Sequence, residues 1–411
     1  MTTESPPVSR PGFQEELLEL GRGWLLRLKT GDWGALPIFI ALAALALMFW
    51  SLEENFATER NFVNLLLQMA GVTAIAMGVV FVLLIAEIDL SVAFVSGVGA
   101  VVMCLLLRPE EQNWPWLAAI VAALAVTTGI GLLQGLIITK ANVPSFVVTL
   151  AGLLAWSGVV LYLTTEASAS GTIRIQNQTV LDIANRFLPN AIGWALLAAV
   201  LIGFAALELN KVRGRRARGL SHKPLVFIAV QLVAMGAVGA WAVSYANRDR
   251  GVPVVAVVIA AFLLFWTFVA SRTRFGRHVY AVGGNPEAAR RAGINVDRIR
   301  IAVFMISSLM AGVGGIILAS RLRSVDTGTG GGNLLLLAIS AAVIGGTSLF
   351  GGHGRVVNAL LGAAVVTTVN NGMDLLGLAS GVKFIITGAV LLAAVLVDSF
   401  AKRARAASGV A

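Results

Sequence analysis

Residues 61–86 read NFVNLLLQMAGVTAIAMGVVFVLLIA, a run without a single charge. A helix needs about 20 apolar residues to cross the hydrocarbon core of a bilayer, so this run is long enough to span one. Further hydrophobic runs with few or no charges follow the same pattern. About twelve in all fall near 36–52, 61–86, 88–107, 114–138, 144–164, 191–209, 224–245, 252–271, 300–320, 333–350, 356–373 and 381–398. The fold predicted from them is all-α: a polytopic integral membrane helical bundle in which some helices are broken.

Composition agrees. Of 411 residues, 57% are hydrophobic and 13% are charged, where a soluble domain would carry about a quarter charged residues. The net charge of +10 does not mark a nucleic-acid binder, because the cations cluster at span ends. Lys211, Arg213, Arg215, Arg216, Arg218 and Lys223 share one loop; Arg272, Arg274, Arg277, Arg290, Arg291, Arg298 and Arg300 share another; Lys402, Arg403 and Arg405 end the chain. Counting crossings from an inside N-terminus puts all three clusters on one face, as the positive-inside rule requires. Both termini are therefore expected on the cytoplasmic side. Residues 1–35 read as a cytoplasmic segment with an amphipathic helix built on Phe13, Leu17, Leu18, Leu20, Leu25 and Leu26. Residues 36–398 read as one transmembrane domain with a polar loop at 272–299, and 399–411 as a basic tail.

The sequence carries no motif for a cofactor, a metal or a catalytic centre. The lone Cys104 lies in an apolar run and cannot form an intrachain disulfide. Three histidines and one cysteine without ligand spacing cannot build a metal site, His353 included. No phosphate-cradling G-x-x-x-x-G-K-S/T occurs. Internal sequence repeats are not evident, although transporters often hide inverted ones. The longest loop on the opposite face, about 165–190, contains Asn177-Gln178-Thr179, a triplet common by chance.

Within the polar loop, residues 285–293 spell a miniature helix with both ends marked. Asn285 suits the N-cap, Pro286 the first position, and Glu287 the first turn, where the helix dipole favours an anion. Ala288, Ala289 and Ala292 propagate it, and Gly293 can take the left-handed conformation that ends it. Two turns are too few to be stable alone, so the helix is held by the rest of the chain or by a partner. An ordinary loop helix and a docking element remain as alternatives.

Polar groups inside the apolar runs form the second set of candidates. Glu87 and Asp89 stand in A-E-I-D-L-S. A carboxylate at the bilayer centre costs roughly 2.5 to 3.5 kcal/mol on insertion scales, so it faces a cavity, a partner or the interface. Either Asp89 and Ser91 mark a broken helix beside the pathway, or the pair occupies a solvated turn. In V-P-S-F-V-V-T-L-A-G, Ser145 and Thr149 share a helix face four residues apart, with Phe146 beside them. Their hydroxyls serve either the preceding turn or a passage. Gly345, Gly346, Gly351, Gly352 and Gly354 permit a helix break or close packing. Asn370 and Asn371 either pair between helices or line a passage for a hydroxylated substrate.

The segment E-A-A-x-x-x-G over 287–293 resembles the signature of ABC-importer permeases. Its flanks R-T-x-F-G-R over 272–277, Y-A-V-G-G-N over 280–285 and G-I-N-V over 293–296 are similar to the ribose, xylose and arabinose permeases of that superfamily. I-D-L-S over 88–91, the decamer at 143–152 and a long insertion at about 165–250 resemble the xylose branch. The resemblance implies a non-catalytic permease homodimer in a bacterial inner membrane that imports a pentose, D-xylose first. It implies two partners, a cytoplasmic ATPase and a periplasmic sugar-binding protein. Asn285, Glu287, Ala288, Ala289, Arg290 and Gly293 would form the ATPase-coupling helix. Asp89, Ser91, Ser145, Phe146, Thr149, Asn370 and Asn371 would line the pathway. Two departures stand out: Leu335 and Leu337 replace an acidic pair before V-I-G-G, and Ala93 stands where glycine is usual after I-D-L-S-V. Permeases for other sugars, branched-chain amino acids or nucleosides share the architecture. A secondary transporter would have only Asp89 and Glu87 as ion relays. A membrane enzyme finds no nucleophile–base pair or carboxylate dyad in the sequence.

Overall fold

The computed structural model describes residues 36–220 and 224–407. The expected N-terminal amphipathic helix and residues 221–223 lie outside that range, as do residues 408–411 of the basic tail. The chain is nearly all helical. Its elements are α1 (Leu36–Leu52), α2 (Glu59–Leu84), α3 (Val92–Leu106), α4 (Trp116–Lys140), α5 (Ser145–Ala167), α6 (Gln178–Asn185), α7 (Asn190–Ala217), α8 (Leu225–Asn247), α9 (Val254–Arg272), α10 (Arg274–Gly284), α11 (Pro286–Arg291), α12 (Val296–Leu322), α13 (Leu334–Ile344), α14 (Val357–Leu375) and α15 (Ser380–Ala407).

Every one of these hydrophobic runs contains one helix, but the runs are not alike. Among the described residues, seven helices are long and apolar enough to cross a membrane: α2, α4, α5, α7, α8, α9 and α12. By contrast α3 has 15 residues and α13 has 11. At 1.5 Å per residue these reach only about 22 and 16 Å, short of the roughly 30 Å core. The run at 88–107 is therefore a non-helical break followed by a short helix, and the run at 333–350 is a short helix followed by a non-helical stretch. Broken helices of this kind are tolerated where protein buries the freed backbone.

The centre is the crossing of α2 and α12. Within their most apolar windows 78% and 67% of residues are buried, against 11% and 6% in α7 and α8. Gly78 of α2 lies against the backbone of Ser307, and Gly71 against Gly314 and Leu318. Numbers fall along one helix as they rise along the other, so the two run antiparallel. Small residues allow this close approach, which matters in lipid because apolar side chains gain little there by leaving the solvent.

Around that crossing the chain repeats itself upside down. The series α2–α3–α4–α5 is matched by α12–α13–α14–α15. Where α12 packs on α4 and α3, α2 packs on α14 and α13; the pairs α3–α4, α3–α5 and α4–α5 recur as α13–α14, α13–α15 and α14–α15. The correspondence extends to single residues, all at one constant separation in the chain. Thr58 caps α2 through the Asn61 amide as Asn295 caps α12 through the Arg298 amide. Ala86 and Arg323 both take the left-handed conformation past their helix ends, at φ 60° and 62°. Asp89 and Asp326 follow three residues later. Ala93 and Gly330 touch each other, and a Cβ on Gly330 would sit 2.5 Å from the Ala93 carbonyl oxygen. The sequence hides this repeat because membrane packing constrains residue size and polarity more than identity.

Two elements form within the 165–190 loop. Strand β1 (Thr172–Arg174) pairs antiparallel with β2 (Ser324–Asp326), with Ile173 opposite Val325. Asn177 caps α6 by accepting from the Val180 amide at 3.2 Å. The α7–α8 hairpin lies at the periphery: α7 packs chiefly on α8, and α8 reaches the start of α2. There Trp241 and Tyr245 meet the Phe62 ring edge-on at 5.4 and 5.5 Å, and the Tyr245 hydroxyl donates to the Ala57 carbonyl.

Candidate functional site

The break between α2 and α3 gathers the polar residues of the first repeat. Helix α2 ends because Ala86 turns left-handed, and the chain then crosses between α12, α4 and α5. Asp89 is 3% exposed. Its Oδ1 accepts from the Ser91 amide at 3.0 Å and the Ser91 hydroxyl at 2.7 Å, and its Oδ2 accepts from the Ser307 hydroxyl of α12 at 2.9 Å. The Gln134 amide of α4 donates to Ser91 Oγ at 2.9 Å. Ser145 Oγ accepts from the Ile88 amide, and the Thr149 hydroxyl reaches the Ile88 carbonyl, each at 3.3 Å. The solvated-turn reading thus fails for Asp89. Three donated hydrogen bonds offset the cost of its burial. Glu87 behaves differently, pairing with Arg300 at 3.0 Å near the bundle surface.

The sequence candidates separate here. Asp89, Ser91, Ser145 and Thr149 come together in one cluster. Thr149 also bonds the Ser145 carbonyl one turn back at 2.9 Å, so the helix-internal role and the cross-helix role coexist. Phe146 turns away and is 51% exposed on the outer face of α5. Asn371 lies at the other end of the bundle, in a reciprocal amide pair with Asn61 of α2, each bond 2.9 Å. It holds two helices together, the interhelical alternative of the sequence reading. Asn370 Oδ1 is buried without a hydrogen-bond partner. Asn371 is nevertheless the repeat counterpart of Gln134, so both ends of the bundle carry an amide at the same place.

Gln134, Ser307 and Arg300 were not among the sequence candidates. Gln134 is a lone amide in a charge-free run, and Ser307 a lone hydroxyl on what reads as a core face. Each signal exists in the sequence but gains meaning only when Asp89 is known to lie between them.

The polar loop forms a platform at the same end of the bundle. Helix α10 was not anticipated; Thr273 caps it by accepting from the Gly276 amide, and Val279, Val282 and Gly283 are buried. Gly283 lies so close to α2 that a Cβ there would be 1.7 Å from the Leu84 carbonyl oxygen. The glycine loop after α13 closes the joint: the Gly352 amide donates to the Leu84 carbonyl at 2.9 Å, and the Tyr280 hydroxyl to the Gly354 carbonyl at 2.8 Å. Burial pushes the Tyr280 phenol above its ordinary pKa, so it stays a donor. Polar loop, glycine loop and Asp89 break are thereby in direct mechanical contact.

Helix α11 forms as its sequence marks predict. Asn285 Oδ1 accepts from the Ala288 amide at 3.0 Å, and Gly293 takes φ 83°. Ala289 is 4% exposed and anchors the helix to the bundle. Glu287, Ala288, Arg290 and Gly293 face outward, with Glu287 and Arg290 in an exposed ion pair at 2.8 Å. Of the departing residues, Leu337 is 7% exposed and part of the core. Ala93 is the residue on which Gly330 rests.

An apolar bundle around an inverted repeat, with short helices broken near buried polar groups, is the architecture of a membrane transporter. Residues 61–395 match the family described as branched-chain amino acid transport system / permease component, and the chain belongs to it. It is a non-catalytic, multi-pass integral membrane component of the bacterial inner membrane. Among named relatives, it is 36% identical to the xylose transport system permease protein XylH of Escherichia coli (strain K12), over 90% of this chain and 93% of that one. It is 33% identical to the XylH protein of Haemophilus influenzae, over 90% of this chain and 97% of that one. It is 32% identical to the ribose import permease protein RbsC of Escherichia coli (strain K12), over 92% and 95%. No solved structure matches the chain.

Proposed function

We propose that this permease is the membrane passage of an ATP-driven importer for a pentose, D-xylose first, working as a homodimer with a separate ATPase and a periplasmic sugar-binding protein. The observation that carries the reading is α11: a capped two-turn helix, anchored by Ala289 and presenting Glu287, Ala288, Arg290 and Gly293 outward. Such a helix suits a lever that a motor pushes from outside. The positive-inside rule favours a cytoplasmic location for the end carrying α10 and α11, and with it both termini inside. Xylose is favoured over ribose by the higher identity to the XylH proteins.

Asp89, Ser91, Ser145 and Thr149 would control the inner part of the route, with Asn370 and Asn371 near its outer part. Phe146, on the exposed face of α5, would face the route or a second copy. A strain lacking other pentose routes and this gene should lose high-affinity xylose uptake and regain it on complementation. Unchanged uptake would overturn the substrate assignment, and permeases for another sugar, a branched-chain amino acid or a nucleoside would then be tried by the same assay. The buried Asp89 alone favours a second reading, an ion-coupled secondary transporter. Uptake that survives loss of the ATPase and follows a proton or sodium gradient would support that reading.

A further inference from the structure

The two breaks of the inverted repeat share a local design and differ in how they are fastened. At the first, Asp89 Oδ1 accepts from the amide two residues on, that of Ser91, at 3.0 Å and from the Ser91 hydroxyl at 2.7 Å. At the second, Asp326 Oδ1 accepts from the amide two residues on, that of Gly328, at 2.9 Å and from the Thr329 hydroxyl at 3.1 Å. The bond to the second amide on makes the same side-chain turn at both places, at equivalent positions in the repeat and at opposite ends of the bundle. The hydroxyl is supplied two residues on in one and three in the other.

Beyond the turn the likeness stops. Asp89 reaches across to Ser307 of α12; the equivalent residue on α2 is Ala70, which has nothing to donate. Ser91 receives Gln134; its equivalent is Gly328, without a side chain. The amide equivalent to Gln134 is Asn371, already engaged with Asn61. Asp89 is buried, whereas Asp326, Thr327 and Gly328 are exposed. The β1–β2 pairing holds the chain only as far as Asp326. After it come Thr327, Gly328, Thr329 and the consecutive glycines 330–332, resting on the first two turns of α3 at Ala93 and Gly97. Glycine backbones have many accessible conformations and no side chains to unpack, so such a segment rearranges easily.

We propose that Ser307 and Gln134 are positioning residues that act through Asp89 to hold the 85–91 break fixed on the bundle, while residues 327–333, hinged at Asp326, are the break that moves during transport. The inference rests on the permease reading and is independent of the cargo.

The test uses the permease–ATPase complex in nanodiscs, without the binding protein, so that nothing else covers the far end. In a Cys104→Ala background, Thr327→Cys and Ile88→Cys each supply one exposed thiol in a break. Labelling by a small maleimide is timed without nucleotide and after trapping with ATP and vanadate. Co-purification with the ATPase confirms that every variant is assembled, which separates failure of this inference from failure of the permease reading. The rate at Thr327→Cys should change roughly tenfold between the two conditions, and that at Ile88→Cys by less than about twofold. Adding Ser307→Ala should make the Ile88→Cys rate respond to nucleotide, and Ser307→Thr should restore its indifference. Equal responses at both breaks, no response at Thr327→Cys, or indifference of Ile88→Cys to Ser307→Ala would overturn the proposal.

Discussion

Asp89 and Ser307 join the two halves of the inverted repeat through a 2.9 Å hydrogen bond. The carboxylate belongs to the break that ends α2, and the hydroxyl to the inner face of α12. Arg300, two turns earlier on α12, pairs with Glu87. The buried carboxylate is therefore held by dipoles of short polar side chains. Such a site is sensitive to the loss of any member, because each remaining donor is stranded where water does not reach.

Asp89→Leu should abolish most uptake and lower thermal stability, since it strands the Ser91 and Ser307 donors at about 1–3 kcal/mol each. Asp89→Asn keeps an acceptor and should retain assembly with partial transport. Paired uptake and melting measurements separate the two, and normal uptake by Asp89→Leu would make the cluster a bystander.

Gly283→Val should destabilise the protein by about 1–3 kcal/mol or more, because its Cβ would enter the Leu84 carbonyl and neither backbone can yield cheaply. Gly284 has nothing within 4 Å of such a Cβ. Gly284→Ala should therefore leave the melting temperature nearly unchanged. Equal melting of the two variants would show that α10 is not seated on α2 as described.

Glu287→Lys and Gly293→Val alter exposed positions of α11. Reversing charge in the first turn opposes the helix dipole by about 0.3–1 kcal/mol, and valine at φ 83° costs roughly 1–2 kcal/mol. Both changes should reduce co-purification with the ATPase severalfold while the spans keep their melting behaviour. Gly293→Asn tolerates the left-handed conformation and should bind normally. Full recovery of ATPase with both disruptive variants would remove α11 from the contact.

Asn371→Leu should cost about 1–2 kcal/mol by leaving Asn61 Oδ1 without its donor between α2 and α14. The double substitution Asn61→Leu/Asn371→Leu removes both polar groups and should recover much of that loss. A double-mutant melting cycle reads the coupling directly. Additive losses would mean the amides do not act as a pair.

Much of this was legible in residue order. The charge-free runs announce the helices because lipid leaves a backbone no hydrogen-bond partner but itself. The marks on α11 are local, so Asn285, Pro286, Glu287 and Gly293 specify that helix without help from elsewhere. Charge and proline can likewise be read one residue at a time. Asp89 was legible as a costly group, though not its surroundings: Ser307 is over two hundred positions away. A serine in an apolar run has the same appearance whether it satisfies its own helix or a distant carboxylate.

Sequence alone determined the helical membrane class, the apolar runs in which the helices lie, the miniature helix and the family. Each rests on hydropathy or on interactions within a few residues. Only the tertiary structure decided that the chain is an inverted repeat, that α3 and α13 are short helices behind breaks, and that the Asp89 side chain bonds across to another helix while the Asp326 side chain bonds only within its own loop. Those facts depend on which helix faces which. In lipid, that choice follows small-residue contacts and single polar pairs too sparse to leave a periodic trace.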